Sequence, residues 1–221
     1  ENFAAAWEQG HFSQYMRSSA LITVLVVGAA LVLSLMSGYV LGILRPRGSE
    51  VLFYVFLLGI MVPSEAVVLP LFFDLRGLGL TDTVWAVALP QTAQSLAFGT
   101  FWMRAFFRGV DPAILEAARI DGARAPTILF RIIIPLLRPV IAVALIIRGI
   151  DAARAFDVIL IQTNGGPQNS TEVMSMLIYR TMVRFGDPGL ASAMSTLYLI
   201  VMMVVASIAV LAIWKPGSEE N

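Results

Sequence analysis

Residues 19–44 run through small and aliphatic side chains without a single charge. About 20 such residues make a helix long enough to cross the ~30 Å hydrocarbon layer of a bilayer. Inside that layer every backbone N–H and C=O must find its partner within the protein. This one run therefore restricts the chain to a transmembrane helix or a deeply buried core helix, and the rest of the sequence decides between them. Residues 51–73 (interrupted by Pro63 and Pro70), 83–107, 136–161 and 188–214 are further long apolar runs, the first three of these carrying a few charges. The chain has 221 residues, of which 58% are hydrophobic and 14% charged; a soluble domain carries nearer a quarter charged residues. The expected fold class is all-α, a polytopic transmembrane helical bundle of about five spans, with residues 1–221 as one domain.

The arginines orient the bundle. With the start outside and the end inside, Arg45, Arg47, Arg104, Arg108, Arg119, Arg124, Arg131, Arg138 and Lys215 face the cytoplasm, against Arg17, Arg76, Arg180 and Arg184 outside. Cytoplasmic loops carry the basic excess, so the expectation is N-out and C-in. The chain starts at Glu1 with no basic stretch ahead of an apolar core, which reads as an excerpt from which an earlier span is missing. Residues 171–185 are too short to span, and Arg180 and Arg184 at helical spacing suggest a helix lying on the membrane or on the protein surface. Ala30, Ser34, Gly38 and Gly42 place a small residue at every fourth position, a face that lets another helix approach closely.

Several function classes fall away. The formal net charge is zero, so nothing points to nucleic acid, and the absence of cysteine excludes disulfides, zinc–thiolate sites and iron–sulfur clusters. His11 lies in a polar stretch and reads as a surface residue. The sole lysine, Lys215, is followed by Pro216, so the glycine-rich turn with Lys-Ser or Lys-Thr that cradles ATP phosphates is missing. No metal-ligand or catalytic pattern occurs in a credible setting, and no catalytic residues, metal or cofactor are expected in this chain.

The most charge-dense stretch is 111–135, DPAILEAARIDGARAPTILFRIIIP. Asp111 followed by Pro112 is a strong helix start, an acidic N-cap before proline at the first helical position. Gly122 suits the left-handed residue that ends the helix, and Pro126 restarts a second one. The small residues Ala117, Ala118, Gly122 and Ala123 make an elbow against which another molecule could seat, with Glu116, Arg119, Asp121 and Arg124 as charged contacts. An ordinary solvated loop needs neither the caps nor the helical order.

Glu116-Ala117-Ala118, then Gly122, then Ile132-x-Ile134-Pro135 resembles the EAA motif of ABC importer permeases, the inner-membrane components of binding-protein-dependent transport systems, with Ile134 where leucine is usual. The resemblance implies a coupling helix seated in a cleft of a cytoplasmic ATPase, with Glu116, Ala117, Ala118, Asp121, Gly122 and Ala123 as the coupling residues. It also implies a second permease subunit, hetero- or homodimeric, an ATPase dimer that binds ATP and magnesium, an extracytoplasmic substrate-binding protein, and a multi-pass place in a bacterial or archaeal cytoplasmic membrane. Residues 77–107 resemble the second permease of maltose-type systems and residues 155–180, with a Thr-x-Gly-Gly-Pro turn, the first. Both belong to the carbohydrate branch, so the solute expected is a sugar or oligosaccharide.

The residues add a candidate pathway. Arg148, Asp151, Arg154 and Asp157 alternate in sign at every third position. Arg148 lies about 14 Å along a helix from Pro139 at ~1.5 Å per residue, close to the middle of the hydrocarbon. Such charges face protein or water rather than lipid. They form either a self-neutralising ladder or part of a hydrated pathway, and the two are compatible. Glu65, Gln91 and Gln94 are further polar groups at membrane depth, and Phe98, Phe101 and Trp102 are aromatic neighbours. Amides beside flat rings suit sugar hydroxyls and the sugar's apolar face. The candidate substrate pathway is therefore Glu65, Gln91, Gln94, Trp102, Arg148, Asp151 and Arg154. The rival readings are an ion-coupled secondary transporter, with the charges as a relay, and a membrane scaffold without transport.

Overall fold

A computed structural model of the chain describes residues 2–8, 12–166 and 171–213, with only the backbone of Ala4, Ala5, Glu8, Phe12, Glu65, Ala212 and Ile213. His11, Pro167 and Lys215, each named above, lie outside the described residues, as does the Glu65 side chain. Every regular element among the described residues is helical. In chain order these are α1 (Asn2–Glu8), α2 (Phe12–Tyr39), α3 (Ser49–Met61), α4 (Ser64–Gly77), α5 (Val84–Gly109), α6 (Pro112–Ile120), α7 (Ala125–Leu136), α8 (Arg138–Ala153), α9 (Asp157–Gln162), α10 (Met174–Tyr179) and α11 (Pro188–Ile213). A π turn, Val40–Leu44, extends α2, and another, Arg180–Arg184, extends α10.

By length and apolarity two helices can each cross a membrane, Ser13–Leu44 with mean hydropathy 2.5 and Pro188–Leu211 with 2.4. Two bent pairs raise that to four: α3 with α4, bent by 103°, and α7 with α8, bent by 72°. α5 is continuous over 26 residues, about 39 Å at ~1.5 Å per residue, but more polar than the others. Leu21, Val24, Val32, Leu199, Ile208 and Leu211 point outward and exposed, the surface expected of helices solvated by lipid rather than water.

The core seam is α2 against α5, where the small residues act as expected. A Cβ on Gly38 would lie 2.5 Å from Met103 Cβ, and one on Gly42 2.6 Å from Phe107 Cβ. Only glycine permits that approach. Ser37 and Thr100 share a hydrogen bond across the seam at 2.6 Å. Beyond it, Arg104 of α5 reaches Glu50 of α3 at 2.6 Å and lies 3.6 Å over the Phe53 ring, while Arg108 takes the other Glu50 oxygen.

Three expectations change. Of the two prolines in 51–73, only Pro63 breaks the run; Pro70 sits inside α4. The segment 136–161 is not one helix: α8 stops at Ala153 and α9 starts at Asp157. Its freed carbonyls are taken up by neighbours, Ala153 O by the Tyr198 hydroxyl (2.7 Å) and Ala155 O by Ser175 Oγ (2.9 Å). The segment 171–185 is a surface element only in its second half: Val173, Met174, Met176 and Leu177 are buried in the core, while Met182, Val183, Arg184 and Phe185 are exposed. The reason is Arg180, which pairs with Glu172 at 2.5 Å and donates to Asn164 O at 2.8 Å. Its charge is thus compensated inside the protein rather than marking a solvent face.

Candidate functional site: a capped elbow and a polar cleft

The elbow lies at the C-terminal end of α5. Asp111 accepts from the Ala113 N–H at 2.9 Å, capping α6 as its sequence suggests. At the other end Gly122 has φ of 79°, its N–H donates to Arg119 O (3.0 Å), and the Ala123 N–H donates to Ala118 O (2.9 Å). This pair of bonds is the Schellman closure that satisfies a helix's last carbonyls. A Cβ at Gly122 would meet open space, so backbone angle alone demands glycine there.

Most of α6 is unburied. Glu116, Ala117, Asp121 and Gly122 are exposed, and Ile120 is 86% exposed. The four ion pairs among the described residues leave Glu116, Arg119, Asp121 and Arg124 unused. Ala118 is turned the other way, packed with Met103, Phe107, Ile128, Ile133 and Leu137, with Ala123 half-buried beside it. The small residues of the elbow therefore divide: Ala117 and Gly122 open a surface, while Ala118 and Ala123 fasten it to α5 and α7. A nine-residue helix that buries so little of itself has a face shaped for another molecule.

The cleft lies toward the N-terminal half of α5. It encloses about 180 Å³ between α4, α5, α8 and the α8–α9 break. Gln91, Gln94, Arg148, Asp151 and Arg154 all line it, so five of the seven pathway residues come together although more than fifty positions separate Gln94 from Arg148. Ser64, which begins α4, lines it as well. Trp102 does not: it stacks between Phe98 and Phe106 farther along α5, with centroids at 6.0 Å from each.

Arg148 is held on three sides. It pairs with Asp151 at 3.1 Å, donates to Gln94 O at 3.0 Å, and lies 4.7 Å over the Phe98 ring. The four-residue charge ladder is only half formed. Arg154 caps α8 and Asp157 opens α9, so the helical register that would pair them is interrupted, and neither joins an ion pair. Asp157, Phe156 and Ser95 also line the cleft. The break itself is what brings Phe156 there, and no proline or glycine in the sequence marks it. Irregular backbone at membrane depth is tolerated where it borders a cavity, and here it does.

Gln91 is 7% exposed and its Nε2 has no hydrogen-bond partner among the described residues. At the opposite end of α5 from the elbow, the turn 163–166 comes against Asp82 and is pinned by Arg180. Arg180 and its partner Glu172, which is 1% exposed, carry no sequence signal that separates them from ordinary loop charges.

The family model described as binding-protein-dependent transport system inner membrane component matches residues 30–214. Among curated relatives, the diacetylchitobiose uptake system permease protein NgcG of Streptomyces coelicolor is 33% identical over 139 residues, covering 63% of this chain and 46% of its own length. The chain spans about half the length of the curated relatives it matches. Among solved structures, a bacterial ABC transporter involved in the import of the acidic polysaccharide alginate superposes with TM-score 0.72 at 19% identity, covering 96% of this chain and 76% of that one. The same score, at 20% identity and with 95% and 80% covered, is reached by a bacterial alginate ABC transporter in complex with alginate pentasaccharide-bound periplasmic protein. At these identities the likeness shows the fold.

Proposed function

The chain belongs to the family of binding-protein-dependent transport system inner-membrane components, and on that premise we propose that it is a permease subunit of an ATP-driven importer for a sugar or oligosaccharide. The observation that carries this reading is the elbow, a short helix capped at both ends and presented almost unburied. It serves as the docking knob for a cytoplasmic ATPase subunit, which places the 111–135 segment in the cytoplasm and the 163–166 turn outside. ATP hydrolysis belongs to that partner, a second permease completes the pore, and a binding protein delivers the solute from outside.

The geometry supplies a route for the motion. Ala118 ties α6 to Met103 and Phe107 of α5, and α7 runs into α8 through a single bend. Displacing the knob therefore displaces α5 and α8 together. These two helices carry Gln91, Gln94, Ser95, Arg148 and Asp151, most of the cleft's polar wall. A packed seam such as α2–α5 transmits displacement rather than absorbing it, because protein interiors have little free volume. The relatives' sugar uptake and the amide and hydroxyl lining of the cleft support a carbohydrate as the solute.

The test is co-purification of the full-length chain with the ATPase encoded beside it, comparing wild type with Gly122→Pro. Proline cannot adopt φ of 79° and lacks the N–H that closes on Arg119 O. ATPase retained by the wild type and lost by the variant is the expected result. Equal retention by both, with normal membrane insertion, would refute the knob.

A further inference from the structure

Among the described side chains, two arginines and two aspartates line the cleft, and their formal charges cancel. Arg148 is already committed to Asp151, to Gln94 O and to the Phe98 face. That leaves Arg154 and Asp157, one of each sign, both exposed to the cleft and outside every ion pair among the described residues. The same cleft is lined by Gln91, nine-tenths buried, with an amide nitrogen that finds no acceptor among the described residues. Buried donors of this kind are paired in the working state of a protein.

We propose that the cleft selects an uncharged, hydroxyl-rich ring, with Gln91 donating to a hydroxyl, Arg154 and Asp157 supplying one donor and one acceptor group, and Phe156 meeting the ring's apolar face. This rests on the sugar-importer reading above and narrows its substrate class. A polyol needs donors and acceptors in equal measure, and a balanced wall provides both. A uronate or other anionic sugar must shed the water around its carboxylate, which is repaid only by a cation that is not already neutralised. In this cleft Arg148 is spent, and the one remaining cation, Arg154, shares the wall with an equally unpaired carboxylate, Asp157, which repels a second anion. Discrimination thus comes from placing an acidic side chain in the same wall as the remaining cation as much as from favourable contacts.

The experiment measures equilibrium binding of labelled diacetylchitobiose, maltose, arabinobiose and digalacturonate to the complete transporter, purified with its own partner subunits in nanodiscs. At least one neutral disaccharide is expected to bind tenfold or more tightly than digalacturonate. Gln91→Leu should weaken that neutral binding about tenfold, the loss of one buried hydrogen bond, with the yield of assembled complex unchanged. Asp157→Asn, which removes the carboxylate that shares the wall with Arg154, should strengthen digalacturonate binding about tenfold. Digalacturonate binding as tightly as every neutral sugar, or neither substitution shifting any affinity, would overturn the inference while leaving a sugar importer. Binding of none of the four sugars would overturn both the inference and the sugar reading, and the co-purification test above would still decide the ATPase partner separately.

Discussion

Gly99 of α5 faces Ser34 of α2 so closely that an alanine there would put its methyl 2.1 Å from Ser34 Oγ and 2.7 Å from Ser34 Cβ. Carbon atoms ordinarily rest about 3.5–4.0 Å apart. Ser34 is 2% exposed, so its hydroxyl has no open space into which to turn, and its Cβ is fixed by the helix. Gly99→Ala must therefore force α2 and α5 apart by about 1 Å, a separation derived from that contact shortfall. Inserting a methyl into a packed seam costs ~1–3 kcal/mol.

The clash has a specific remedy. Both atoms that meet the new methyl belong to the Ser34 side chain, so Ser34→Gly removes them. Alone, Ser34→Gly should cost about 1 kcal/mol as a glycine inside a helix. It sacrifices no hydrogen bond, since Ser34 Oγ has no partner among the described residues. The double variant is expected to be more stable than the sum of the singles by ~1–2 kcal/mol, within the range of contacting pairs. Unfolding of the four purified full-length proteins in mixed micelles by titrated SDS reads this coupling directly. Sugar uptake per folded molecule should fall in Gly99→Ala and return in the double variant, because Gln91, Gln94 and Ser95 ride on the displaced helix. Gly99→Ala at wild-type stability, or strict additivity of the two substitutions, would refute a glycine-limited seam.

Other perturbations test the remaining parts. Arg180→Ala strands the Glu172 carboxylate, which is 1% exposed, and should destabilise by ~3–5 kcal/mol in the same SDS titration. Glu172→Gln with Arg180→Gln should recover part of that loss. Tyr198→Phe leaves Ala153 O without its hydroxyl donor and should cost ~1–3 kcal/mol, measured identically, without affecting membrane insertion. At the elbow, Gly122→Asn should retain the ATPase far better than Gly122→Val in co-purification, because asparagine tolerates a positive φ and a β-branched residue does not. Arg148→Leu should reduce the yield of folded protein, and Arg148→Leu with Asp151→Leu should restore yield without restoring sugar uptake, since the pair neutralises itself while lining the cleft.

The elbow was legible because its determinants are local. An acidic N-cap before proline and a glycine at the left-handed position act within one or two turns, and each hydrogen bond they foretell is present. Which of its alanines would point inward was not legible, because Ala117 and Ala118 are chemically identical and only the position of Phe107, on another helix, distinguishes them. The same contrast runs through the bundle. Apolar runs announce helices, and a small residue at every fourth position announced the α2–α5 seam, since both depend on periodicity along one segment. The burial of 171–181 depends instead on Glu172 meeting Arg180 and on what packs around them, so one arginine that looked like a surface marker is paired inside the protein while Arg184 stays exposed.

The cleft shows how a partly wrong local reading can still name residues that the fold brings together. Alternating charges at every third position promised a continuous helical ladder, and the chain unwinds in the middle of it. Unwinding is possible there because Tyr198 and Ser175, from α11 and α10, accept the role of donors to the freed carbonyls; nothing within 136–161 encodes those partners. Had the helix continued, Arg154 and Asp157 would have been placed to neutralise one another at i,i+3 as Arg148 and Asp151 do. The break leaves the second pair without an ion pair among the described residues and adds Phe156 to the lining of the cavity. A polar group held at membrane depth without its own partner is costly, so the fold retains such groups where a visiting molecule can complete them. The failure of the ladder is therefore the strongest physical reason to place solute binding at this point of the chain rather than elsewhere along the bundle.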